Sequence, residues 1–363
     1  MRLIEDTRKC NARLYLSVNL ETLTQEEMMK HARVWQTVLA CVILASLVLT
    51  SCAAPATPAL APVVPTTAPV ATTAPVATTA PAANSASITI AYSGYATSND
   101  YWNGLGKAAA AEAAAKGVKF VDLTTETQDA SAQKSAIDTE ITEKPSAIII
   151  GSVDPTVFKD TIAKAKAAGI PLLAADTAID DPYISALVQT DNLATSQLLG
   201  DYICKKLNGA KGTALVMAGT VGHQTGDARQ KGIADKLAAC GENVIKQYGN
   251  WDENTEVQIA SDTITANPDT NVIFAPHGAG AAAVATVVKN KSLTSKIMVF
   301  GFDGLPVEYQ AIKDGIEVAT AKQDNVRIGA ESVDDALALI NKQSFNAKDL
   351  IPGVLIDKTN VPQ

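Results

Sequence analysis

Histidine is scarce in this chain. His31, His223 and His277 are its only three, and no two stand at metal-ligand spacing. The five cysteines, Cys10, Cys41, Cys52, Cys204 and Cys240, include no C-x-x-C pair. Neither a structural metal nor any cofactor is expected. Basic residues are outnumbered: 30 Lys and Arg face 38 Asp and Glu, for a net charge of −8, and no basic stripe appears. That excludes nucleic acid as a partner, because neutralising phosphates takes clustered cations. Nucleotide loops are lacking too. Gly219–Gly226 has no Lys-Ser/Thr, and Gly104-x-Gly106 has no third glycine. Aromatic residues are only 5% of the chain, so those in loops carry information.

Apolar residues, by contrast, make up 47% of the 363 positions. That suffices for two packed domains and additional segments. The first distinctive segment is the apolar run Val38–Thr50, preceded by Lys30 and Arg33. It falls short of the ~20 apolar residues a bilayer span needs and reads as an export signal. Its end, Leu49-Thr50-Ser51-Cys52, resembles the bacterial lipobox, which implies lipidation of Cys52 and anchoring to the membrane. Residues 1–27 lack signal character, so Met28 or Met29 is the better start, and the signal region is taken as 1–52. Residues 53–86 come next as a Pro-, Thr- and Ala-rich stretch carrying a PVATTA repeat. With no charge and no helical or strand period, it is expected to be an extended, disordered tether.

From Ser87 the pattern changes to alternating apolar strands and amphipathic helices. Strands are predicted at 88–92, 118–122, 147–150, 170–174 and 184–188. After a break at Gln189–Asn192 come 213–217, 243–248, 272–275, 297–301 and 317–321. Continuous apolar strands separated by helices imply parallel sheets covered on both faces. Two such series give an α/β protein with two doubly wound, Rossmann-like lobes. Ligands of open parallel sheets bind outside the carboxyl ends of the strands. The segments just after the strands are therefore the ones to watch: Ser93–Trp102, Gly151–Asp154, Asp176-Thr177, Ala218–Arg229, Asn250-Trp251, His277 and Phe302-Asp303.

Val299-Phe-Gly-Phe-Asp303-Gly-Leu-Pro306 resembles the V-x-G-F-D-G-x-P signature of ribose- and galactose-type periplasmic binding proteins, whose ligand domain is shared with lactose-repressor-type regulators. Tyr101-Trp102, Ile170-Pro171 with Asp176, Gln189–Asn192, Arg229-x-x-Gly232, Trp251-Asp252 and Ala319–Gln323 match in order, so the resemblance covers 87–363. It implies three chain crossings, with one lobe of 87–190 plus 324–351, the other of 191–323 plus 352–363, and the ligand cleft between them. Hinges would lie near Thr190-Asp191, Gln323-Asp324 and Ile351-Pro352. Position by position, the ligand residues fall on Asn99, Tyr101, Trp102, Asp176, Arg229, Trp251, His277, Asp303 and Gln323.

Those residue types suit a sugar. A carboxylate accepts two vicinal hydroxyls, Arg donates a planar fork, and aromatic faces cover the C–H face of the ring. This chain departs from the ribose-type pattern at Thr177, Gly151 and His277-Gly278, where the pattern has Arg, Asn and Asn-Asp, so a sugar or polyol other than ribose is expected. His223, in a glycine-rich loop, is expected to be exposed. Replacing Arg229 or Asp303 is expected to weaken binding and leave the ligand-free protein's stability unchanged.

The resemblance implies a monomeric, extracytoplasmic binding protein, not an enzyme, that hands a small sugar or polyol to an ABC permease and ATPase. A sensor subunit that presents a sugar or autoinducer-type ligand to a receptor is the alternative. An export signal where a regulator would carry its helix-turn-helix argues against DNA binding. Export also opens Cys204 and Cys240 to disulfide formation, unless their helices lie on opposite faces of the sheet.

Overall fold

A computed structural model of the chain describes residues 88–363. The expected export signal, the expected lipidation site Cys52 and the expected tether lie outside the described residues. Two six-stranded sheets organise the described chain. In the first half the elements are β1 (Thr89–Ser93), α1 (Asp100–Ala115), β2 (Lys119–Asp122), α2 (Ala130–Glu143), β3 (Ala147–Ile150), α3 (Lys159–Ala168), β4 (Leu172–Ala175) and β5 (Ile184–Thr190). The second series is α4 (Asn192–Leu207), β6 (Thr213–Ala218), α5 (Gln224–Ala239), β7 (Asn243–Tyr248), α6 (Glu253–Ala266), β8 (Thr270–Phe274), α7 (Gly278–Asn290), β9 (Met298–Asp303), α8 (Pro306–Lys313) and β10 (Ala319–Lys322). The chain then returns with α9 (Asn325–Ile340), β11 (Lys348–Ile351) and β12 (Val354–Asp357).

Local chemistry sets these elements. Asp129, Asp191 and Asp252 cap α2, α4 and α6 by accepting first-turn amide protons. Gly169 closes α3 at φ +70°, a conformation glycine adopts without steric penalty. Before α3, Asp154-Pro155 opens a single 3₁₀ turn, Pro155–Phe158.

The first sheet has the order β11-β5-β4-β3-β1-β2 and is wholly parallel. The second, β12-β10-β9-β8-β6-β7, is parallel except for β12, which pairs antiparallel with β10. Both sheets are apolar on both faces. Ile90, Tyr92 and Ile149 pack against Leu105 of α1 and Ile328 of α9, while Ala91, Ile148 and Ile150 face Ile137 of α2 and Ile162 of α3. In the second sheet Val216, Phe274 and Phe300 meet Leu199 of α4 and Leu237 of α5, while Leu215, Ile273 and Val299 meet Ala260 of α6 and Val284 of α7. The alternation is the period-2 rule of a strand buried on both sides.

Because α4 and α5 share a face, Cys204 near the end of α4 and Cys240 capping α5 come together, Cα to Cα 6.0 Å, and form a disulfide. The chain passes between the lobes three times. Thr190-Asp191 leads from β5 to α4, Gln323-Asp324 from β10 to α9, and Pro352-Gly353 from β11 to β12. The crossings are stitched to one another: Asp191 N donates to Ile351 O at 2.8 Å, and Thr190 Oγ1 donates to Gln323 Oε1 at 2.6 Å.

Candidate functional site

The carboxyl ends of both sheets open onto one cavity of about 560 Å³. Asn99, Tyr101, Trp102, Asp176, Arg229, Trp251, His277, Asp303 and Gln323 all line it. Several are held in backbone conformations that side chains other than glycine rarely adopt. Asp176 (φ 64°), Asn250 (φ 57°), Trp251 (φ 58°) and Asp303 (φ 115°) each follow or end a strand at the cleft. Such positions cost about 1–3 kcal/mol each and persist where the surroundings force them.

On the first lobe, Asn99 accepts from Trp102 N at 3.2 Å and so caps α1. The cap fixes the turn that points Tyr101 and Trp102 inward. The Tyr101 hydroxyl donates to Asp176 Oδ1 at 2.5 Å, and the Thr177 hydroxyl reaches Oδ2 at 3.2 Å. Burial, reinforced by the Asp176 carboxylate, pushes the Tyr101 phenol well above its usual range, so it remains a donor. Trp102 stacks on Tyr95 at 5.7 Å and lies over Gly151. A β-carbon on Gly151 would stand 2.2 Å from the indole, so the glycine is what admits the ring.

The second lobe repeats that device. Trp251 lies over Gly219, where a β-carbon would come within 1.9 Å of the indole. Arg229, 3% exposed, donates through Nε to Asn192 Oδ1 at 2.8 Å and through Nη1 to Pro276 O at 2.7 Å. The same Nη1 lies 3.3 Å from Asp303 Oδ1, and the guanidinium sits 3.9 Å from the Phe302 ring centre. Asp303 also accepts from Gln323 Nε2 at 2.7 Å and from Gly278 N at 3.1 Å. Burial raises its pKa, with Arg229 the main opposing influence. Gln323 Oε1 accepts from Thr190 and, at 3.4 Å, from Tyr101, so this one amide joins both lobes beside a crossing.

His277 caps α7 through Nδ1, and its Nε2 lies 3.1 Å from Oε1 of the completely buried Glu256. Burial works against a charged ring, but the Glu256 carboxylate outweighs it and leaves the His277 pKa above its ordinary value. His223 departs from expectation. It is 6% exposed, lines the cavity and meets Trp251 edge-on at 5.3 Å, because its loop folds back over the indole at the start of α5. Both of its ring nitrogens lack a hydrogen-bond partner, and burial lowers its pKa. Among the described residues, no cluster of His, Cys, Asp and Glu suits a metal ion.

A cleft between two doubly wound lobes, lined at matching strand ends, is an architecture shared by many binding proteins. Residues 90–344 match the model of the periplasmic binding protein domain. The chain belongs to that family. Among other periplasmic binding proteins, it is 27% identical over 266 residues to the ribose import binding protein RbsB of Escherichia coli K12, covering 72% of this chain and 88% of the relative. The D-allose-binding periplasmic protein of the same organism is 30% identical over 178 residues, 47% of this chain and 57% of that relative's length. In solved structures, an ABC transporter periplasmic solute-binding protein from Actinobacillus succinogenes with bound D-allose superposes with a TM-score of 0.70. It is 26% identical, with 75% of this chain and 98% of that chain covered. All three relatives are binding proteins rather than enzymes.

Proposed function

We propose that this chain is an extracytoplasmic binding protein that captures a monosaccharide or cyclic polyol in the cleft and delivers it to an ABC importer. One observation carries the reading. Two buried carboxylates and one guanidinium, Asp176, Asp303 and Arg229, stand between two indole faces, Trp102 and Trp251, supplied by different lobes. Carboxylates accept paired hydroxyl protons, Arg donates to neighbouring ring oxygens, and the indoles cover C–H faces. Asn99, Tyr101, His277 and Gln323 complete the contact set in this reading.

Ligand held from both lobes stabilises their closed arrangement and shifts the population toward it. The relatives' names support the ligand class and the importer, and the family supports a location outside the cytoplasm. Attachment to the membrane through Cys52 belongs to the same proposal. Cys52→Ala should release the protein from membranes, and retention without acyl mass would end that part.

Calorimetry against D-allose, D-ribose, D-tagatose, D-arabinose and xylitol tests the ligand class. Binding of at least one, weakened by Asp303→Asn, supports the reading. Binding of none, or binding indifferent to Asp303, refutes it.

A further inference from the structure

Behind Asp303 lies a second pair of acids that the contact set does not use. Glu308, in the first turn of α8, is 0% exposed, and Glu317, just before β10, is 2% exposed. Both reach the same point: a β-carbon on Gly301 would stand 2.3 Å from Glu308 Oε1 and 2.8 Å from Glu317 Oε1. Among the described residues no lysine or arginine is paired with either carboxyl.

Their hydrogen bonds are unequal. Glu308 Oε1 accepts from the Thr320 hydroxyl at 2.5 Å, and Oε2 accepts from Leu305 N at 2.8 Å. Both oxygens of Glu317 find no donor. Two ionised carboxylates cannot satisfy one another, since neither has a proton to give, and two like charges buried side by side repel. A single proton resolves both problems: Glu317 donates it, and Glu308 stays anionic toward Thr320 and Leu305.

We propose that Glu308 and Glu317 share one proton and that the pair is a positioning device for Asp303, holding the turn Asp303-Gly304-Leu305 in place. The inference rests on the reading of Asp303 as a ligand contact. The amide that Glu308 holds, Leu305 N, lies two residues after Asp303, whose own φ of 115° needs such restraint. Gly278, which donates to Asp303 Oδ2, is packed against the other side of the pair: a β-carbon there would meet Glu308 Oε2 at 2.4 Å. The charged or titratable groups facing the pair are Asp303 from β9, Tyr309 beside Glu308 on α8 and, beyond Asp303, Arg229 from α5 and His277 at the head of α7. Burial, with Asp303 adding to it, raises Glu308, and burial beside Glu308 holds Glu317 well above the carboxylate range. The shared proton is therefore retained at neutral pH and is lost only as pH rises above it.

Three measurements on the ligand-free and D-allose-mixed protein test this. Infrared difference spectra of wild type against Glu317→Gln at pH 7 should show a protonated buried carboxyl in wild type alone. The Leu305 amide resonance should titrate as pH rises above 7 in wild type and stay fixed in Glu317→Gln. Affinity for D-allose should fall by at least roughly tenfold over that titration in wild type and remain flat in the variant, one decade being the smaller change expected when a buried charged hydrogen bond is lost. No protonated carboxyl at pH 7, or a Leu305 amide that ignores its ionisation, overturns the proposal. If D-allose does not bind at all, the ligand reading has failed instead, and the two spectroscopic readouts still decide the pair.

Discussion

Arg229→Ala separates a residue that merely touches ligand from one that also holds the empty site together. In the ligand-free protein the guanidinium is buried, hydrogen-bonded to Asn192 and Pro276, paired with Asp303 and stacked on Phe302. The expectation that its loss spares stability therefore does not survive the geometry. Removing one partner of a buried ion pair leaves the other charged and dry, at a cost of about 3–5 kcal/mol. For a chain of this size each kcal/mol lowers the melting temperature by about 2–4 °C, so the drop should be on the order of 10 °C. Differential scanning calorimetry of the ligand-free protein at pH 7 reads it directly. In the Asp303→Asn background the same substitution should cost much less, because no orphaned carboxylate remains. Arg229→Ala melting within 2 °C of wild type, or costing equally in both backgrounds, would refute the reasoning.

Gly151→Ala should displace Trp102, lower the melting point by an overpacking cost of about 1–3 kcal/mol, and be largely rescued by Trp102→Phe; a variant that melts like wild type contradicts the keyed packing. Cys204→Ser should destabilise by about 3–4 kcal/mol on chain entropy, given the separation of 36 residues, and thiol titration of the unreduced, denatured wild type should find neither Cys204 nor Cys240 free. His277, whose folded pKa exceeds its unfolded value of about 6.5, contributes stability that is complete below that pH and fades as pH rises through the folded value. The gap between wild type and His277→Gln in urea melts should accordingly be wide at pH 5.5 and narrow at pH 8.5, and a gap constant with pH would exclude the Glu256 pairing. Glu317→Gln should be more stable than wild type at pH 8, because a carboxyl with a raised folded pKa loses stability as pH climbs toward it.

Ten of the twelve strands could be read from apolar runs such as Ala147–Ile150, whose burial on both faces needs no alternation to reveal it. The last two could not. Lys348–Ile351 and Val354–Asp357 are short, partly polar edge strands split by Pro352-Gly353, and only their partners β5 and β10 make them strands. At the cleft, strand ends and the order of Asp176, Arg229 and Asp303 located the carboxylates and the guanidinium. What stayed hidden was depth. Nothing in Gly219–Gly226 says that His223 is buried edge-on against an indole, because that depends on Trp251, distant in sequence, lying on Gly219. Nor do Glu308 and Glu317 look different from surface acids until Gly301 brings them together.

The interleaved strand order also bears on how the chain is made. The first sheet takes its edge strand from residues 348–351 and the second from 354–357. A nascent chain that stops anywhere before them leaves the β5 and β10 edges unpaired, with the last crossing missing and Asp191 without its Ile351 acceptor. Neither sheet is finished until residues 348–357 have been synthesised. Until those residues are available both sheets keep an open edge, which suits a polypeptide that must cross a membrane before it folds.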